Sequence, residues 1–136
     1  MTTSTLSSLV ERVMEAKGPD REIDLLISWE VGKHGTTAQH RDARAFFERH
    51  GRMPGEKSLR WLPHYTASLD AAMGLVPEWC QFIEIIRYSD GWYVRLAKHS
   101  ASDTPFMARQ APTAQAGVVA ASLRAMEQMK SKTKEG

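Results

Sequence analysis

The chain has 136 residues, 42% hydrophobic and 25% charged, with a formal net charge of +2 and a single cysteine, Cys80. That is the length of one domain with room for a hydrophobic core, and it excludes an internal disulfide framework. Near-neutral charge removes any overall electrostatic demand for nucleic acid or an anionic membrane.

No window approaches the roughly 20 apolar residues of a bilayer span. The stretch "MTTSTLSSLVERV" lacks the basic region and continuous apolar run of a signal peptide. With one thiol and no such segment, a cytoplasmic protein without a membrane partner is expected.

In chain order, Leu6, Leu9, Val10, Val13 and Met14 follow the helical i, i+3, i+4, i+7, i+8 pattern. Gly18-Pro19 ends that helix, and Pro19 or Asp20 suits the first turn of the next. The second helix carries Ile23, Leu26, Ile27 and Val31 and stops near Gly32. Thr36 or Thr37 would cap a third helix through "AQHRDARAFFERH", with Gly51 as its stop and Ala43, Phe46 and Phe47 as its inner stripe.

"GRMPGEKS" reads as a loop. "LPHYTASLDAAMGLVPEW" follows, with a short helix from about Ala67 to Leu75 that Pro77 ends. The period then changes. "WCQFIEIIRY" and "WYVRLAKH" flank Ser89-Asp90-Gly91, the signal of a hairpin closed by a three-residue loop with Gly91 in the left-handed position. In that register Phe82, Ile86, Val94 and Leu96 share one face. Ile83, Ile85, Arg87, Tyr93, Arg95 and Ala97 share the other.

Both faces are apolar, so helices on both sides are favoured, with one helical layer plus a dimer interface as the alternative. A third strand is expected at Phe106–Gln110, before a Thr113-capped helix that ends near Lys130. Val119, Leu123, Met126 and Met129 (or Lys130) mark its inner side. The fold class is therefore α+β: a three-stranded antiparallel meander flanked by helices, with an N-terminal helical segment. Residues 1–136 form one domain, with N-terminal helices over 1–51, a helix–three strands–helix unit over 60–130 and a disordered tail over 131–136.

His64, Ser68 and Asp70 crowd together like a nucleophilic triad. On a helix, however, Ser68 and Asp70 point about 200° apart and cannot address one imidazole. Helix capping by Thr66 or Ser68 explains these residues better. "GKHGTT" lacks the glycine spacing of a phosphate loop and follows a helix rather than a strand. His34, His40, His50, His64 and His99 form no metal-ligand spacing, so no metal and no cofactor are expected. Glu84 stands out as a carboxylate among apolar strand residues, free to pair with a basic group or to bind a ligand.

The candidate ligand-binding residues are Arg60, Trp61, Arg87, Trp92, Tyr93, Arg95 and Lys98. Arginine beside an aromatic ring can stack on a base and pair with phosphate. Packing explains the same composition, since tryptophans bury and arginine stems cover them.

"LPHYTASLDAAMGLVPEW", a Trp-bearing hairpin and "MARQAPTAQAGVVAASLRAM" together resemble a pattern in short prophage-encoded proteins of the phage helix–sheet–helix (ABA) sandwich type. The resemblance covers Leu62 to Met126 and leaves out the N-terminal helices. Gln115 and Gly117 depart from it, standing where the pattern has small apolar residues. It implies a similar fold and a phage or prophage setting in a bacterial host cell, and carries no chemistry over to individual residues.

The expected function is therefore that of a non-enzymatic phage accessory protein acting by binding. It would counteract host defence by sequestering an anionic nucleotide signal or by inhibiting a host protein. In the nucleotide version Trp92 or Tyr93 stacks on the base while Arg87, Arg95 and Lys98 neutralise phosphate. The alternatives are a nucleic-acid-binding module, or a small hydrolase or transferase built on His64, Glu84 and His99 if these converge. Exposed sheet edges point to a homo-oligomer.

Overall fold

The computed structural model describes residues 5–16, 18–31, 38–55, 62–99 and 105–135. Three helices come first: α1 (Thr5–Glu15), α2 (Arg21–Val31) and α3 (Ala38–His50). A one-turn helix, α4 (Leu69–Met73), precedes strands β1 (Phe82–Tyr88), β2 (Gly91–Ala97) and β3 (Phe106–Ala111). Helix α5 (Ala114–Glu135) follows and runs into the segment that composition assigns to a frayed tail. The class is α+β, with a three-stranded antiparallel sheet in the order β1-β2-β3.

Helix α5 is the centre of the molecule. Every residue from Ala116 to Leu123 is buried, because the sheet lies on one side and α1 and α4 lie on others. Small residues make this enclosure feasible. A Cβ on Gly117 would lie 2.6 Å from Val94 Cγ2 and 3.3 Å from Ala111 Cβ, so only glycine lets helix and strand approach so closely there. Thr113 caps the helix as its position predicts, accepting from the Ala116 amide at 3.0 Å.

Around α5 the main core gathers Leu6, Leu9, Val10 and Val13 of α1, Ile23 and Ile27 of α2, and Val94, Leu96 and Ala108 of the sheet. A second cluster joins Leu25, Ala43 and Leu62, with Met53 against it. Helix α2 lies between the two clusters. It therefore buries Leu25 as well as Ile23 and Ile27, which a single amphipathic stripe does not anticipate.

The hairpin departs from expectation by one residue. Tyr88 pairs with Gly91, so the turn is Ser89-Asp90 and not a three-residue loop, and Arg87 faces Trp92. Gly91 does take positive φ, at 139°. Because side chains alternate, a one-residue slip exchanges the faces of one strand relative to the other. Ile83, Ile85, Arg87, Trp92, Val94 and Leu96 lie on the helix side. Phe82, Glu84, Ile86, Tyr88, Tyr93, Arg95 and Ala97 lie on the opposite face.

Strand β3 joins with a bulge: Val94 faces Ala108 while Trp92 faces Ala111, so Arg109 and Gln110 together oppose Tyr93. Gln110 takes φ 57° to make that step. Among the described helices, α5 is the one that packs on the sheet, over β2 and β3. The helix-on-both-faces arrangement favoured by composition is thus replaced, among the described residues, by a helical layer on one face.

Candidate functional site

The candidate binding residues divide into three places. Arg87 and Trp92 sit side by side on the helix side of the sheet, near the turn, with the guanidinium carbon 5.8 Å from the ring centroid. Tyr93 and Arg95 lie on the opposite face. Lys98 follows the far end of β2 and is exposed. At about 3.4 Å per residue, the span from Trp92 to Lys98 is about 20 Å. Arg87, Arg95 and Lys98 therefore do not converge on one phosphate. Arg60 and Trp61 lie outside the described residues, as does "GKHGTT" with His34.

The opposite face, open in that none of the described helices packs on it, has its own organisation. Glu84 and Arg95 are cross-strand partners and form an ion pair at 3.2 Å. This answers why a carboxylate stands in an apolar strand: its counter-charge is directly opposite. The Arg95 guanidinium also lies 5.4 Å from the Phe82 ring centroid. Tyr93 donates its hydroxyl to Met107 Sδ at 2.9 Å and meets Tyr88 edge to face, ring centroids 6.2 Å apart. The face is thus a frame of Phe82, Ile86, Tyr88, Tyr93 and Met107 around one neutralised ion pair.

The triad-like residues have other work. Ser68 is the N-cap of α4 and accepts from the Ala71 amide at 3.2 Å, while Asp70 sits in the first turn. Thr66 reaches away from α4 to α2, donating to Asp24 Oδ1 at 2.9 Å and accepting from the Asp20 amide at 2.8 Å. Asp24 is fully buried, takes the Thr66 amide at 2.9 Å and pairs with Arg21 at 2.9 Å. Arg21 in turn donates to the carbonyls of Leu62 and Pro63. Burial, and then the negative charge of Asp24, raises the neighbouring Tyr65 phenol above its ordinary value.

Asp24 is the residue that sequence patterning misses. Its carboxylate falls between Ile23 and Leu25 in a helix buried on two sides, and nothing local to α2 marks its partner 42 residues away.

The hydrolase candidates each have their own surroundings. His64 is exposed in the turn before α4, Glu84 is engaged by Arg95, and His99 Nδ1 lies 3.2 Å from Gln81 Oε1 at the end of the hairpin. His50 stacks near Phe46, ring centroids 4.4 Å apart. Among the described residues no three His, Cys, Asp or Glu side chains gather as metal ligands, and no helix is long and apolar enough to cross a membrane.

No family model, curated protein or solved structure matches the chain. The functional reading therefore rests on the residues themselves.

Proposed function

We propose that the protein is a non-enzymatic accessory protein of the phage or prophage kind that acts by binding, and that its partner is a protein rather than a free nucleotide. The open face supports this reading. It combines Phe82, Tyr88, Tyr93 and Met107 with an arginine, the residue types enriched at protein interfaces. Its Arg95 is already engaged by Glu84 and so is not available to a phosphate. The resemblance of Leu62–Met126 to prophage-encoded proteins supports the setting, a bacterial host cell in which the partner is a host protein.

Tyr93→Ser/Met107→Ser tests it. Neither residue belongs to the buried core, so the double variant is expected to keep its fold by circular dichroism. A host protein is expected to co-purify stoichiometrically with the tagged wild type and to be lost from the double variant. A double variant that keeps the partner overturns the reading. Calorimetry with linear and cyclic nucleotides is expected to show no binding tighter than about 100 µM. Tighter binding that Arg87→Ala abolishes would restore sequestration instead.

A further inference from the structure

The two edges of the sheet are built differently. Strand β3 carries the bulge at Arg109-Gln110 and lies under α5. Bulges, charged residues and helical cover are the devices that stop an edge from pairing. Among the described residues strand β1 has neither bulge nor helical cover, and its two charged residues, Glu84 and Arg87, are engaged across the sheet by Arg95 and Trp92 of β2. Its seven residues, "FIEIIRY", pair with β2 in unbroken register, contain no proline or lysine, and lie beyond the cover of α5. The exposed large hydrophobic side chains among the described residues are Leu69, Ile83 and Tyr88, and two of these three belong to β1.

An antiparallel edge presents backbone N–H and C=O groups outward at strand spacing, and a second strand is the partner that satisfies the whole row. We infer that β1 pairs antiparallel with β1 of a second copy, joining two three-stranded sheets into one of six strands. The sequence of the strand fits a two-fold operator. Ile85 is the midpoint of Phe82–Tyr88, so an axis there uses the full length of the strand. Ile85 then faces Ile85 of the second copy, and Phe82 faces Tyr88. Arg87 faces Ile83 and Glu84 faces Ile86, so no like charges meet. Every residue keeps its side of the sheet, which sets both α5 helices on one side and both open faces on the other.

This inference stands apart from the proposed function, since it concerns the strand edge and not the open face. Sedimentation velocity of the full chain at about 100 µM, where even micromolar association is nearly complete, is expected to give a dimer. Ile83→Lys places a charge on the pairing edge and is expected to raise the dimer dissociation constant at least about tenfold with an unchanged circular dichroism spectrum. Tyr88→Lys replaces it if that variant does not fold. In a Cys80→Ser background, Ile85→Cys is expected to cross-link under mild oxidation and Ile83→Cys is not, because only the residue on the axis comes within disulfide reach of its own copy. A monomeric wild type, an Ile83→Lys dimer as tight as the wild type, or cross-linking at position 83 instead of 85 overturns the inference. Tyr93→Ser/Met107→Ser is expected to remain dimeric, which separates failure of the edge from failure of the open face.

Discussion

Val94 and Gly117 mark the closest approach of sheet and helix: a Cβ at Gly117 would come within 2.6 Å of Val94 Cγ2. Val94 is fully buried and β-branched, so it has no free rotamer into which to retreat. Gly117→Ala gains up to about 1 kcal/mol of helix propensity. Overpacking costs typically about 1–3 kcal/mol and wins at so short a distance. Urea denaturation is expected to show Gly117→Ala as the less stable protein. A more stable variant would mean that the interface yields.

The Thr66 hydroxyl serves two groups that are distant in sequence, the Asp24 carboxylate and the Asp20 amide. Thr66→Val keeps the volume but leaves the buried carboxylate short of a donor. The expected loss is about 2–3 kcal/mol, since hydrogen bonds to charged groups exceed neutral ones. Ser68→Ala, which removes only the cap of a one-turn helix, is expected to cost about 1 kcal/mol. The order of the two midpoints in urea checks the claim that the triad-like residues are structural.

Gly91 has φ 139°, and a Cβ there would lie 2.9 Å from the Gln110 backbone. Both the conformation and the space exclude a side chain. Gly91→Ala is expected to lower stability by about 2–3 kcal/mol, combining strain with displacement of the bulge. Its amide spectrum should change at Gln110 as well as around the turn. A change confined to the turn would contradict that contact.

The Tyr65 phenol is raised above the ordinary 10.0, first by burial and then by Asp24. An acid whose pKa is higher in the folded state favours its neutral form there. Its contribution is complete below the unfolded value and is lost as pH rises through the folded one. Cys80, raised from 9.0 chiefly by burial, acts with the same sign and begins at lower pH. Thermal stability is therefore expected to fall as pH rises beyond about 9–10. Tyr65→Phe in a Cys80→Ser background should flatten that fall. A profile as steep as the wild type would place the alkaline loss elsewhere.

Periodicity made the elements themselves legible. The stripe of α1, the stop at Gly51, the third strand and the Thr113 cap all follow from local chemistry. The hairpin register did not. Ser-Asp-Gly is compatible with either a two- or a three-residue connection, and both assignments put apolar groups on each face. Composition therefore could not choose between them, and the apparent cluster of Arg87, Tyr93 and Arg95 depended on that choice. The Asp24–Thr66 contact was illegible for a different reason. Its two halves lie in separate segments, and each half alone has an ordinary local explanation.

The enclosure of Ala116–Leu123 also has a temporal meaning. Helices α1 and α2 and the sheet emerge during synthesis before the element against which most of their apolar groups pack. Until the ribosome has released residues 114–123, Leu6, Leu9, Val94 and Leu96 lack their main packing partner. The nascent chain must wait with much of its hydrophobic surface wet, exposed to chaperones and to other copies of itself. Closure of the core therefore waits for α5, the last of these elements in chain order.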